Sequence, residues 1–221
     1  MLTLNLPGKE SDALSILCVG AHCDDIEIGC GGTLLELAAQ RRVRVTWLIL
    51  SSDPERERET RRSAAAFLGD AADVQLEIRE HRDGFLPYLG SQVKEEFEKL
   101  KSRLQPDLVF THHRHDLHQD HRLASELTWN TFRNHLILEY EVPKYDADLG
   151  QPNVFAALSA DTCRRKVETL LASYKSQASK AWFSTDLFMA LLRLRGAESN
   201  SPSGLAEAFH CRKLRFLGSR G

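Results

Sequence analysis

Residues 14–40, LSILCVGAHCDDIEIGCGGTLLELAAQ, decide the fold class. The run 14–20 is apolar and closes on Gly20, which predicts a strand buried on both faces. After the polar segment His22-Cys23-Asp24-Asp25, the stretch TLLELAAQ (33–40) predicts a helix with Thr33 near its start. The same alternation then repeats. VRVTWLILSS (43–52) reads as a second strand, 55–68 as a helix stopped by Gly69, and VQLEI (74–78) as a third strand. SQVKEEFEKLKSRL (91–104) spaces Val93, Phe97, Leu100 and Leu104 for one helical face, with Pro106 ending it. DLVFTH (107–112) predicts a fourth strand, followed by a helix over about 121–134. Further on come LILEYEV (136–142), a Pro/Asp/Gly loop (143–153), NVFAAL (153–158), helices near 160–174 and 185–195, and a turn region at 196–204. Strand alternating with helix predicts an α/β, Rossmann-like fold: a mostly parallel sheet with helices on both faces. No repeat or long linker interrupts it, so residues 1–221 read as a single domain.

Composition narrows the function classes. The 221 residues are 42% hydrophobic and 27% charged, and 29 basic against 31 acidic residues leave a formal charge of −2. That is no electrostatic footprint for nucleic acid or anionic lipid. No apolar run approaches the roughly 20 residues that span a bilayer. The opening MLTLNLPGKESDALS lacks a basic stretch leading into an apolar one, so no secretory signal is expected. Five cysteines without a CxxC pair fit a reducing, cytoplasmic setting.

Open parallel sheets bind ligands beyond the carboxyl ends of their strands. Two polar clusters fall there: His22-Cys23-Asp24-Asp25 after the first strand, and residues 112–121, HHRHDLHQDH, after the fourth. Together they hold six of the nine histidines. Either cluster alone reads equally well as solvated loop or helix cap; both together, at strands that can be neighbours, point to a site. Two imidazoles and a carboxylate with an open position form a common catalytic zinc set. His22 and Asp25 can converge from one turn, and the pair His118 and His121 supplies a third ligand, leaving the other histidine free as an acid. Asp24, beside a ligand without being one, is the natural general base. Gly29, Gly31 and Gly32 raise a rival reading, a Rossmann nucleotide-binding module. Their spacing is not G-x-G-x-x-G, however, and they read better as sites of close helix–sheet approach. His112 and His113 are placed at the pocket wall, while Trp47, Trp129 and Trp182 read as core or half-buried rather than as sugar platforms.

AHCDDIEIGCGGT (21–33) resembles the AHPDDE-x-x-GCGGT segment of the PIG-L/LmbE-like zinc-dependent N-deacetylases, and Asp116 to His121 resembles their D-x-H-x-DH hallmark. Weaker echoes are the Arg/Glu-rich helix ending in LG, Arg82-Asp83-Gly84, Tyr174-Lys175-Ser176-Gln177 and Ala206-Glu207-Ala208-Phe209. The resemblance implies removal of an acetyl group from an N-acetylglucosaminyl-type amino sugar, as a small molecule or part of a glycoconjugate. It implies His22, Asp25 and His121 as ligands of zinc or another divalent transition metal. Asp24 would be the base acting on water at the metal, and His118, oriented by Asp120, would serve the oxyanion or the leaving amine. Arg56 and Asp83 would meet sugar hydroxyls. Cys23 stands where the family usually has Pro, and Ile26 where Glu is frequent; neither removes a proposed ligand. A non-catalytic carbohydrate-binding homologue is the remaining alternative.

Overall fold

The computed structural model describes Thr3 and residues 13–215. Most of the stretch in which no secretory signal is expected lies outside the described residues. In chain order the elements are β1 (Leu14–Gly20), α1 (Asp25–Gln40), β2 (Val43–Ser51), α2 (Pro54–Leu68), β3 (Asp73–His81), α3 (Gly90–Arg103), β4 (Leu108–His112), α4 (Gln119–Phe132), β5 (Leu136–Tyr140), β6 (Val154–Ala157), α5 (Ala160–Ser173), α6 (Thr185–Glu198) and β7 (Ala206–His210). They build a seven-stranded sheet of order β3-β2-β1-β4-β5-β7-β6. β1 pairs in parallel with both β2 and β4, and β5 continues in parallel from β4. β7 runs antiparallel to both β5 and β6. The mostly parallel sheet expected from the alternation is therefore present, with helices on both faces. No helix among the described residues is long and apolar enough to cross a membrane.

β1 shows why its sequence lacks a polar face. Leu14, Ile16 and Cys18 enter a core shared with α1, α2, α5 and α6, while Leu17 and Val19 enter the opposite core under α3 and α4. The helices start where the sequence offers caps. Asp53 accepts the main-chain N–H groups of Glu55 and Arg56 at 2.8 and 2.9 Å, with Pro54 opening α2. Ser159 and Ser184 cap α5 and α6. Gly69 ends α2 at φ 45, in the left-handed region that favours glycine.

One sequence expectation needs correction, and one strand has no counterpart in the sequence reading. α1 begins at Asp25, eight residues before Thr33, and it includes all of Gly29, Gly31 and Gly32. These glycines are therefore not a phosphate-cradling loop. A Cβ on Gly29 would lie 2.1 Å from the Tyr140 ring, one on Gly31 2.8 Å from Phe67, and one on Gly32 2.5 Å from Leu158. Close approach is their role. The expected start at Thr33 has a physical counterpart: the Glu207 carboxylate accepts the N–H groups of Gly32 and Thr33 at 2.7 Å each, capping the helix from inside. Lys166 Nζ meanwhile donates to the Ile28 carbonyl at 2.7 Å. The strand without a counterpart is β7, whose five residues pair only with β5 and β6.

Candidate active site

The strand order reverses direction at β1, which has β2 on one side and β4 on the other. That is the switch point where ligand clefts open in such sheets. Both polar clusters lie at its carboxyl edge. The turn 21–24 leads from β1 into α1, and the segment after β4 leads into α4, which begins at Gln119 rather than at about 121 because His118 is its N-cap.

Ninety-nine positions apart in sequence, His22 and His121 meet: His22 Nδ1 lies 3.1 Å from His121 Nε2. Asp25 completes a triangle, with Oδ2 3.4 Å from His22 Nδ1 and Oδ1 3.5 Å from His121 Nε2. Bonds of 2.0–2.1 Å arranged tetrahedrally set neighbouring ligand atoms about 3.3 Å apart, so each separation matches that of two zinc ligands, with Asp25 presenting a different oxygen to each imidazole. Each imidazole is held from behind. Asp116 Oδ2 accepts the Nδ1–H of His121 at 2.8 Å, leaving Nε2 toward the triangle. Asp120 Oδ2 and Asp83 Oδ1 lie 3.3 and 3.0 Å from His22 Nε2, leaving Nδ1 toward it. Other groupings are possible on distance alone: His118 offers a ring nitrogen within 4.8 Å of ligand atoms on His22 and His121, and Asp25, His112 and His121 also cluster. His112 Nε2 is already engaged, however, 2.9 Å from the Ala21 N–H and 3.1 Å from Asp25 Oδ2.

Burial and neighbouring charges displace all three groups of the triangle from their ordinary titration. Burial pulls the His22 imidazole down, yet its hydrogen bonds to Asp120, Asp25 and Asp83 push it well above its ordinary value. Burial, then the positive field of His112, lowers His121 to about 3, which keeps its lone pair free. Asp25 stays ionised well below the usual carboxylate range, the neighbouring histidines outweighing its burial.

Asp24 sits at the N-cap position of α1 but makes no side-chain cap. Its Oδ1 instead accepts Arg56 Nη2 at 2.8 Å, which separates it from an ordinary capping aspartate. Burial raises its carboxyl, opposed by Arg56. Arg56 Nη1 also lies 3.7 Å from Asp83 Oδ2, while its buried Nε has no partner. His118 Nδ1 accepts the main-chain N–H of Asp120 at 3.3 Å, so the ring proton resides on Nε2. The Asp120 carboxylate goes elsewhere, to His22 and to the N–H groups of Gly84 and Leu86 at 2.8 and 3.1 Å.

All eight residues singled out in the sequence gather within this region. Among them, His22, Asp24, Asp25, Arg56, Asp83, His118 and His121 line a cavity of about 220 Å³, and Asp120 lies fully buried behind it. The rest of the wall is Val142, Lys144, Tyr145, Asp146, Gln177, Lys180 and Trp182. Trp182 is half-buried as expected, but it faces the cavity. The loop 143–153 contributes Lys144, Tyr145 and Asp146 to this lining, whereas the turn region 196–204 contributes no residue. His112 and His113 do not line it either: His112 is fully buried, and His113 pairs with Glu139 at 3.1 Å and stacks on His210. Cys23 points its Sγ toward the Ser51 carbonyl, 3.7 Å away, and belongs to the core rather than to the cluster of His22, Asp25 and His121. Two further residues, Asp116 and Lys144, join the site without a role assigned from the sequence. Asp116 lies inside the second motif without an assigned role, and Lys144 carries no local signal.

Comparison with known proteins follows the same lines. The PIG-L family profile, described as GlcNAc-PI de-N-acetylase, matches residues 17–132, from β1 to the end of α4. The chain is 28% identical over 167 residues to the Escherichia coli K12 protein described as "Uncharacterized deacetylase YaiS", covering 70% of this chain and 88% of that one. Its fold is similar to that of the conserved protein TT1542 from Thermus thermophilus, with a TM-score of 0.70 and 22% identity over 94% of this chain and 99% of that one. It is also similar to the N,N'-diacetylchitobiose deacetylase from Pyrococcus horikoshii, with a TM-score of 0.61 and 20% identity over 90% of this chain and 84% of that one. The chain belongs to the PIG-L/LmbE-like family of metal-dependent deacetylases.

Proposed function

We propose that the protein is a zinc-dependent hydrolase that removes the N-acetyl group from an amino-sugar derivative of the N-acetylglucosaminyl type, releasing acetate. The observation that carries this reading is the triangle of His22, Asp25 and His121 donor atoms, 3.1–3.5 Å apart, with the Asp24 carboxylate beside it and committed to no cap. His22, Asp25 and His121 would hold the ion, or another divalent transition metal in its place. When bound, zinc supplies Lewis acidity toward an amide carbonyl and brings the pKa of a water molecule toward about 7.

The chain's own groups do the rest. Asp24, aimed by the Arg56 guanidinium, accepts the proton of the attacking water and delivers it toward the leaving nitrogen. His118, aligned through the Asp120 main chain, presents Nε2–H to the oxygen that gains charge as the carbonyl becomes tetrahedral. Asp120 serves twice, since its carboxylate also holds His22. The C–N bond breaks as the nitrogen is protonated, giving acetate and a free amine. Asp83 and the Arg56 guanidinium, both on the cavity wall, are the groups for sugar hydroxyls. The family profile's GlcNAc-PI description and the similarity to a chitobiose deacetylase support an N-acetylglucosaminyl unit, free or within a glycoconjugate. The single sheet through the described residues supports reading 1–221 as one deacetylase domain.

Metal analysis joined to an acetate-release screen over N-acetylated amino sugars and their glycosides tests this. One zinc per chain and chelator-sensitive acetate release are expected. Zinc uptake with no acetate from any such sugar would favour a non-catalytic homologue, and a retained nucleotide without metal would favour the nucleotide-binding reading.

A further inference from the structure

Asp116 divides its carboxylate between two members of the site. Oδ1 accepts the main-chain N–H of His118 at 2.8 Å, and Oδ2 accepts the Nδ1–H of His121 at 2.8 Å. A third group reaches the same Oδ2: Lys144 Nζ, 2.9 Å away. Lys144 comes from the wall segment that follows β5, and its ammonium is also held by Asp148 at 2.7 Å and the Val142 carbonyl at 3.3 Å. Asp148 in turn accepts the Leu117 N–H at 2.8 Å, so the wall is stitched to the second motif at two points. The lysine and aspartate side chains are only 9% and 3% exposed, which leaves their charges weakly screened. The cluster of Asp116, Asp146 and Asp148 is thus filled by an ammonium.

We propose that Lys144 is a positioning residue that restrains Asp116, and through it sets how strongly His121 donates to the metal. The inference rests on the zinc reading above. A carboxylate behind a ligating imidazole draws on its N–H and makes the other nitrogen a stronger donor. An ammonium on the same carboxylate oxygen competes for that electron density. Lys144 therefore weakens the ligand, keeps the ion more acidic, and links this setting to the wall that carries Tyr145 and Asp146. A lysine that merely anchored the wall would leave metal affinity untouched.

The test is zinc affinity by chelator competition on the full chain, alongside kcat and KM for an N-acetylglucosamine glycoside. Asp116→Asn is expected to weaken zinc binding about 10–100-fold. Lys144→Met should tighten it several-fold while lowering kcat, and Lys144→Arg should restore wild-type values. Lys144→Gln repeats the charge removal should the methionine variant not fold. Unchanged or weaker zinc binding in the folded charge-removed variant overturns the proposal. Failure of the underlying reading looks different: wild-type chain that takes up no zinc, or His121→Ala that binds it as well as wild type, overturns both together.

Discussion

At the seam between β1 and β4, His22, Asp24, Asp25 and His121 come from two short stretches of chain and surround a cavity. At the β5–β7–β6 flank, Glu207, Lys166, Glu141 and Arg195 are about as deeply buried and line only a gap of about 20 Å³. The flank charges are saturated. Glu207 accepts from Gly32, Thr33 and Lys166, and Arg195 pairs with Glu141 at 2.7 Å and Glu198 at 2.7 Å. The seam charges are not. Three carboxylates converge on His22, and Arg56 keeps a buried Nε without a partner. Burial alone therefore does not separate structural from chemical charges; unfinished pairing around a cavity does.

That contrast predicts different failures on the two sides. Asp24→Asn, at the seam, is expected to keep zinc and the fold while turnover drops about 10³-fold or more, as loss of a general base does. Steady-state kinetics with metal analysis checks this, and retained turnover would remove Asp24 from the base role. Glu207→Ala, at the flank, leaves Lys166 buried without its carboxylate and should cost roughly 3–5 kcal/mol of stability. Urea unfolding reads that cost, while kcat per folded molecule stays near wild type. Gly29→Ala drives a methyl into the Tyr140 ring and should cost about 1–3 kcal/mol by overpacking, seen as a lower Tm.

The smallest effect is acid sensitivity at the flank. Burial acts to raise Glu141, but His210, the Gly150 N–H and Arg195 outweigh it and hold the carboxyl below its ordinary value. A depressed acid stabilises the fold above the unfolded value of about 4.3 and loses that contribution as pH falls through the folded one. Glu141→Gln should flatten the stability curve below about pH 5 relative to wild type. An unchanged acid limb would show that this carboxylate is not what the flank loses on acidification.

Much of the fold was legible because β1, β2 and β4 announce themselves as apolar runs and the helices carry caps and stops in place. The start of α1 was not, because three glycines within nine residues argue locally against helix, and only their contact with Tyr140, Phe67 and Leu158 reverses that preference. β7 was invisible for a related reason: five residues acquire strand character only by pairing with β5 and β6. In the site, residue identities were legible and contacts were not. The motif suggests that Asp120 orients His118 through its side chain, yet its carboxylate turns to His22 and only its N–H serves His118.

Local patterning thus carried the alternation of elements, the positions of the two polar clusters and the kinds of groups in them, since each depends on neighbours a few residues away. Which imidazole nitrogen faces the triangle, that Asp24 leans on Arg56 instead of capping α1, and that Lys144 reaches Asp116 from 28 positions downstream arose only on folding. Hydrogen-bond direction and charge pairing depend on distances of a few ångströms between segments far apart in the chain, and spacing along a sequence holds no record of those distances.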